Sequence, residues 1–256
     1  MTAFSTVGNG PHAVICHHGW FGHSGGWGPW IDVANTTDFT WYLPDYRGYG
    51  SRQDEASNHS LEDIAADIIP IVEDAAKGHS AVSLLGHSMG GAYAQYVLHK
   101  APIPITAYVG ISPVAASGTP LPADQRAFFE SAGQNVSARR GIIDITTGNR
   151  LSAHWLDQMV AETRRNSTDA AVDAHFRTWA DADFLEDLGE VRVPALVIIG
   201  ATDPAITAAS VEQSYGRTFS DLSLIEFPDA GHYAMFEAPV RLATEIENFL
   251  NEHAPL

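Results

Sequence analysis

The chain has 256 residues, of which 45% are hydrophobic and 18% are charged, a balance typical of a globular protein long enough to bury a sizeable core. Its 14 basic residues against 31 acidic ones give a formal net charge of −17. A surface of this charge repels phosphate backbones and anionic lipids, so binding to nucleic acid, a membrane surface or a polyanionic molecule is disfavoured.

The first residues, MTAFSTVGNG, contain no basic region followed by an apolar segment, so we expect no signal peptide. No run approaches eighteen apolar residues, so we expect no membrane span. The single cysteine, Cys16, lies in an apolar stretch and cannot form an intrachain disulfide, which indicates a small core residue. We therefore expect a soluble, cytoplasmic protein, although a chain with its leader removed would look the same.

Short apolar runs alternate with helical patterns along the chain. This alternation predicts an α/β fold, with a mostly parallel sheet and helices on both of its faces. The candidate strands, in chain order, are Ala13–Cys16, Thr40–Leu43, Ala81–Leu85, Ile105–Ile111, Ala195–Ile199 and Leu222–Phe227.

Two helices have recognisable starts. The segment Ser60–Asp63 predicts a capping box at the first, and Pro70 lies within the apolar pattern that follows, where it should kink or shorten the helix. The last helix is predicted to begin near Pro239. Its apolar residues fall on one stripe, made of Leu242, Ala243, Ile246, Phe249 and Leu250.

Residues 117–188 interrupt the alternation, because they show helical patterns and no convincing strand after a turn-rich start, SGTPLP. We predict that they form a helical cap, inserted into a core domain made of residues 1–116 and 189–256. The alternative is a run of ordinary packing helices without a lid role.

A serine lies between two glycines after the strand Ala81–Leu85, in the segment Gly86–Gly91, which reads GHSMGG. Glycines on both sides allow the strand and the following helix to approach closely. Ser88 should then sit in a strained turn at the carboxyl edge of the sheet and at a helix N-terminus, which favours developing negative charge. A plain Ser-Gly turn does not explain both glycines.

Ser88 needs a base to become a nucleophile. His232 follows the strand Leu222–Phe227, and Asp203 follows the strand Ala195–Ile199, so both should lie at the carboxyl edge of the sheet. We predict that His232 is the base and that Asp203 accepts its Nδ1 proton. The alternatives are a loop histidine in a satisfied hydrogen bond and, for Asp203, a helix N-cap.

The loop after the first strand, His18–Gly22, can aim a backbone N–H at a substrate oxygen that becomes negatively charged during the reaction. We nominate the N–H groups of Trp20 and Met89 as the two donors of an oxyanion hole.

Together these motifs resemble the α/β-hydrolase fold family, within its group of serine hydrolases with helical caps. The order Ser…Asp…His is that of the family. The resemblance implies an eight-stranded, mostly parallel sheet and catalysis without a cofactor. Few residues precede Ala13, so the usual first strand is expected to be missing or vestigial. The matching segments are His18–Gly22 (HGWFG), Asp45–Ser51 (DYRGYGS), Gly86–Gly91 (GHSMGG), Gly200–Asp203 (GATD) and Gly231–His232.

The residue at the serine position separates branches of this family. Epoxide hydrolases and haloalkane dehalogenases are similar elsewhere but use an aspartate there, so Ser88 argues against both. A serine leaves esterases, lactonases, amidases, carbon–carbon bond hydrolases, and cofactor-free haloperoxidases that act as perhydrolases.

The segment 17–30, HHGWFGHSGGWGPW, is rich in aromatic residues and histidines. Trp20 and Phe21 are expected to line the pocket, and Trp27 and Trp30 to pack in the core. The three histidines could suggest a metal, but no carboxylate stands at a supporting spacing, so we expect no metal. We also assign His87, Trp155, Trp179 and Tyr233 to the pocket, while the cap aromatics are equally good candidates for the cap's own core.

From these residues we expect a serine hydrolase that cleaves carboxylic esters or lactones of small to medium, neutral, apolar substrates through an acyl-enzyme. The alternatives are a cofactor-free perhydrolase or haloperoxidase, a carbon–carbon bond hydrolase, and a ligand receptor with slow turnover on the same fold. The expected partner is the small-molecule ester or lactone, and the expected assembly is a monomer or homodimer.

Overall fold

The computed structural model describes residues 4–254, so residues 1–3 and 255–256 of the predicted core domain lie outside it. Within this range one sheet has seven strands in the order β1-β3-β2-β4-β5-β6-β7. All neighbouring strands are parallel except β1, which runs antiparallel to β3. The strands are β1 Phe4–Gly8, β2 His12–His17, β3 Phe39–Pro44, β4 Ala81–His87, β5 Tyr108–Ile111, β6 Ala195–Gly200 and β7 Leu222–Phe227.

The six predicted strands are confirmed, with one shortened start. Strand β5 begins at Tyr108 instead of Ile105, after Pro102 and Pro104, which have no backbone N–H to donate to a ladder. Strands β2, β5 and β6 are buried at every residue, which is why they are continuous apolar runs in the sequence.

Strand β1 was not predicted, because it is a short edge strand whose residues are all exposed or only partly buried. With it the sheet has seven strands, which is one fewer than the resemblance implies.

The helices cover the sheet in layers. Helix α1 packs against α11, and α2 packs against α3. Five helices, α4 to α8, lie between β5 and β6, in the range predicted as the cap. The bounds are α1 Trp30–Val33, α2 Leu61–Gly78, α3 Met89–Lys100, α4 Ala123–Glu130, α5 Val136–Thr146, α6 Ala153–Arg165, α7 Asp169–Ala180, α8 Leu185–Leu188, α9 Ala208–Thr218, α10 Ala234–Glu237 and α11 Pro239–His253.

Two features predicted for α2, its shortening at Pro70 and a complete capping box, are not found. The helix continues through the exposed Pro70 for eight further residues, so the proline does not end it. The Ser60 side chain accepts from the Asp63 N–H at 3.1 Å, as an N-cap does. The capping box is only half formed, because the Asp63 carboxylate accepts instead from the Ser57 hydroxyl and the Asn58 N–H.

The predicted core residues are buried. The stripe of α11, including Ile246 and Leu250, is buried. Trp27 and Trp30 are also buried, and Trp30 packs against both Trp27 and Trp41 of β3. Cys16 is also buried and free, and burial raises the pKa of its thiol well above the ordinary value. Among residues 4–254, no helix combines the length and the apolar character that a membrane crossing requires.

We predict that Pro70→Ala stabilises the protein. Alanine restores a backbone donor in the middle of an intact helix, and proline is about 3 kcal/mol less favourable than alanine in a helix interior. Because proline also restricts the unfolded chain, the net gain in unfolding free energy should be about 1–2 kcal/mol. Urea unfolding checks this, with Lys77→Ala on the exposed face of the same helix as a control that should change little. A loss of stability in Pro70→Ala would contradict the prediction.

Candidate active site

Ser88 lies in a strained turn between β4 and α3. Its backbone angles are φ 52° and ψ −122°, a region that residues other than glycine rarely adopt. The turn depends on the flanking glycines, because a Cβ at Gly86 would lie 2.4 Å from the Gly90 carbonyl oxygen. A Cβ at Gly90 would lie 2.1 Å from the carbonyl oxygen of His17. The close approach holds Ser88 at the carboxyl end of β4 and the start of α3.

His232 and Asp203 form a buried hydrogen-bonded pair. The distance from His232 Nδ1 to Asp203 Oδ2 is 2.6 Å, and both residues are buried. Because a carboxylate accepts, Nδ1 carries the proton in a neutral ring, and Nε2 is then unprotonated and free to act as a base.

The second carboxylate oxygen of Asp203 is also used. Oδ1 accepts from the N–H of Ala205 at 2.9 Å and, more weakly, from that of Ile206 at 3.4 Å. The N-cap alternative for Asp203 is wrong, because the N-cap of α9 is Thr207. Asp203 therefore holds its own loop and orients His232 at the same time.

Ser88 and His232 line one cavity. Within residues 4–254 no hydrogen bond joins the Ser88 hydroxyl to His232. Nucleophile–base hydrogen bonds are often long without substrate and tighten in the reacting complex. The arrangement therefore supplies a hydroxyl, an oriented base and a carboxylate at one edge of the sheet.

His87, assigned to the pocket from the sequence, lies between Ser88 and the His232 loop. Its Nε2 donates to the His232 carbonyl oxygen at 2.9 Å. Burial, with a smaller effect of His232, lowers the pKa of His87 well below its ordinary value, so the ring is neutral at pH 7. A neutral His87 supports the His232 backbone without placing a second cation beside an imidazolium.

The two nominated oxyanion donors have no competing acceptor in the described part of the chain. Neither the backbone N–H of Trp20 nor that of Met89 donates to another described residue. Trp20 is anchored on both sides, because its indole Nε1 donates to the Val172 carbonyl of α7 at 2.8 Å and its own carbonyl accepts from the Tyr49 hydroxyl at 2.9 Å. A helix of the predicted cap thus fixes the loop that carries one donor.

Two loops at this edge are joined by a buried aspartate to which the sequence alone assigned no role. Asp45, after β3, accepts from the N–H and hydroxyl of Ser24 and from the N–H and hydroxyl of Ser51, at 2.7–3.0 Å. Gly50 faces it at φ 49°, and a Cβ there would meet the carboxylate at 2.2 Å. Asp45 therefore stabilises the loop after β2, which continues from the Trp20 turn.

The cavity has a volume of about 80 Å³ and is lined mainly by apolar side chains. Of the residues assigned to the pocket from the sequence, five lie in its wall, namely Trp20, Phe21, His87, Trp179 and Tyr233. The cavity is also lined by Phe129, Ile142 and Ile206, which were not predicted from the sequence. These three are apolar residues on a helix or loop, and no local pattern separates a cavity wall from a helix core.

The assignment of Trp155 to the pocket is wrong for this cavity. Trp155 lies in the first turn of α6 and packs edge-on against Tyr233 and Phe236. Its ring contacts a residue of the cavity wall, Tyr233, but is not itself part of that wall.

The three histidines of residues 17–30 have separate partners. His17 Nδ1 pairs with the Tyr46 hydroxyl at 2.8 Å, His18 Nδ1 donates to the Gly19 carbonyl at 2.9 Å, and His23 lies 3.3 Å from Glu162. Burial lowers the pKa of His17 to about 3 and that of His18 to about 4, so both are neutral at pH 7. Within residues 4–254 there is no group of three or more His, Cys, Asp or Glu side chains that could hold a metal ion.

Comparison with known proteins gives the same architecture. A family model described as alpha/beta hydrolase fold matches residues 12–239. The chain is 24% identical over 257 residues to a non-heme chloroperoxidase of Streptomyces lividans, covering 93% of this chain and 91% of that one. It is 24% identical over 234 residues to a bifunctional esterase/perhydrolase of Acinetobacter calcoaceticus, covering 86% and 84%. An esterase structure from Exiguobacterium antarcticum matches with a TM-score of 0.85 at 18% identity, covering 97% and 94%.

The strained backbone at Ser88 predicts that glycine destabilises the protein less than alanine at this position. Ser88→Gly should be more stable than Ser88→Ala by about 1 kcal/mol, because a strained residue costs about 1–3 kcal/mol and glycine regains part of this despite its greater freedom in the unfolded chain. Both variants lack the hydroxyl, so their difference in unfolding free energy isolates the backbone. Equal stability of the two variants would refute the strain.

Proposed function

The chain belongs to the α/β-hydrolase fold family, and we propose that it is a serine hydrolase that cleaves carboxylic esters or lactones through an acyl-enzyme on Ser88. The observation that carries the proposal is the His232–Asp203 hydrogen bond of 2.6 Å beside a strained serine in the same apolar cavity. A nucleophile, an oriented base and an acid that fixes the tautomer form the minimum set for acyl transfer by serine.

In the first half-reaction, His232 Nε2 takes the proton of Ser88 while Oγ attacks the carbonyl carbon. Asp203 stabilises the imidazolium that forms. The N–H groups of Trp20 and Met89 donate to the oxyanion, and each such donor is worth about 2.7–4 kcal/mol of transition-state stabilisation. The tetrahedral intermediate collapses when the leaving oxygen takes the proton from His232, and Ser88 is then acylated.

In the second half-reaction, His232 removes a proton from water, and the resulting hydroxyl attacks the acyl carbon. The proton returns to Ser88 Oγ, and the acid leaves. A lactone follows the same steps, except that its leaving oxygen stays attached to the acyl group.

The cavity favours a short acyl group. Its volume of about 80 Å³ is well below the roughly 150 Å³ of an engineered apolar cavity that binds benzene. The wall is mainly apolar, and the net charge of −17 opposes anionic molecules. We therefore infer a neutral ester or lactone with a short, apolar acyl group.

Perhydrolysis is a second candidate, since one relative is named a bifunctional esterase/perhydrolase and another a non-heme chloroperoxidase. Hydrogen peroxide in place of water would attack the same acyl-enzyme and release a peracid. Peracid formation from a short carboxylic ester and peroxide separates this activity from simple hydrolysis. Turnover of a dienoate diketone would indicate a carbon–carbon bond hydrolase instead.

We predict that a fluorophosphonate adds once to the wild type, at Ser88, and not to Ser88→Ala. Intact mass with peptide mapping measures this result, with circular dichroism to confirm that the variant is folded. A folded wild type that is not labelled would rule out an activated serine and favour a ligand receptor.

We also predict that Asp203→Asn lowers kcat by about 10⁴, because the amide favours the wrong histidine tautomer. Ester hydrolysis measures this result, with circular dichroism to confirm that the variant is folded.

We predict that activity depends steeply on acyl length. Across esters of one alcohol, kcat/KM should peak at short acyl chains and fall by about tenfold or more for each methylene that the pocket cannot accommodate. Phe129→Ala removes part of the cavity wall and should move the optimum to longer chains. The matched control is Phe128→Ala, since Phe128 is adjacent but exposed and outside the wall. An optimum that Phe129→Ala leaves in place would contradict the assigned acyl site.

A further inference from the structure

The loop that carries His232 is held by one buried carboxylate. Glu237 Oε2 accepts from the N–H of Gly231 at 2.9 Å, and Glu237 Oε1 accepts from the N–H of Tyr233 at 3.0 Å. These are the residues immediately before and after His232. The Glu237 side chain is only 3% exposed, so its two backbone bonds are shielded from water.

The backbone of His232 itself is held by two other groups. Its N–H donates to the Thr146 carbonyl oxygen at the end of α5, at 3.0 Å, and its carbonyl accepts from His87 Nε2 at 2.9 Å. Three consecutive N–H groups of this loop therefore have fixed acceptors, and Glu237 supplies two of them.

Glu237 is held in turn by an arginine from the loop between α5 and α6. Arg150 Nη2 pairs with Glu237 Oε2, and Arg150 Nε donates to the Thr202 hydroxyl at 3.1 Å. The Thr202 hydroxyl donates to the Ala230 carbonyl at 2.8 Å. Thr202 precedes Asp203, so one arginine connects the loop of the acid with the loop of the base.

We propose that Glu237 is a positioning residue for His232, and that Arg150 fixes the Glu237 carboxylate in the orientation that holds both flanking N–H groups. The inference rests on the proposed role of His232 as the base. Neither Glu237 nor Arg150 lines the cavity around Ser88, so both act through the placement of the imidazole and not on the substrate.

The physical reason is that the imidazole must reach two oxygens in succession, Ser88 Oγ and the leaving oxygen. The Asp203 bond fixes the ring's tautomer and rotation but not the position of its backbone. A misplacement of about 1 Å can lower a rate by about 100-fold. A loop held only by solvent-exposed bonds would not give that accuracy.

The test uses Glu237→Ala, Glu237→Gln and Arg150→Ala in the full chain. In Glu237→Ala we expect kcat for a short-chain ester to fall by about 10- to 100-fold, with KM little changed because the cavity wall is intact. Glu237→Gln keeps a carbonyl oxygen for one of the two N–H groups and should recover part of kcat. Arg150→Ala should lie between Glu237→Gln and wild type.

Arg140→Ala is the matched control. Arg140 lies on α5, is as exposed as Arg150 (34% against 33%), and is also paired with a carboxylate, that of Asp157. Loss of an exposed ion pair has little effect on stability, and this one contacts neither catalytic loop, so kcat should stay at the wild-type value. Thermal unfolding of every variant shows whether the rates were measured on folded protein.

A second readout does not need turnover. The proton shared by His232 Nδ1 and Asp203 should give a low-field proton NMR signal in the wild type and in Arg140→Ala. It should broaden or disappear in folded Glu237→Ala. The positioning role is overturned if folded Glu237→Ala keeps both the wild-type kcat and the wild-type low-field signal. It is also overturned if the loss of kcat only follows the fraction of unfolded protein. If fluorophosphonate does not label the wild type, the proposed function fails, and the NMR signal still decides the role of Glu237.

Discussion

The close approach of backbone at the turn between β4 and α3 is the constraint on which the site depends. With no side chain at Gly86 or Gly90, the helix starts against the end of β2, and Ser88 is forced to φ 52°. The strain is maintained because the turn is surrounded by the paired parallel strands β2, β4, β5 and β6, which are buried except for the first residue of β4. The same packing places the Ser88 hydroxyl at the helix N-terminus, where negative charge is favoured.

The loops around this turn are held by polar contacts instead of by the sheet itself. Asp45 joins the loops after β2 and β3, Asp203 orients His232, and Glu237 holds the amides on either side of it. Helices α5 and α7 take part directly, through the Thr146 and Val172 carbonyls. The helical segment after β5 is therefore bonded to the catalytic loops, and a movement of that segment would have to break these contacts.

Much of the fold and of the site could be predicted from local pattern. Ser88 and Asp203 follow the buried strands β4 and β6, and His232 follows the more exposed strand β7. Because parallel strands end at the same edge, the placement of these residues needed only the strand assignments. The features that were predicted wrongly or not predicted have no such local sequence pattern. Trp155 packs on Tyr233 outside the cavity wall because of the way α6 packs, Pro70 lies within a helix that continues past it, and β1 is too exposed to show a clear period.

Residue types and their spacing along the chain were enough to predict six of the seven strands, the strained serine turn and the two residues that we propose as acid and base. Only the tertiary structure decided which apolar side chains enclose the cavity and how small it is. Only the structure could show that Arg150 and Glu237 connect the two loops, since contacts between residues 87 positions apart depend on packing that no local pattern encodes.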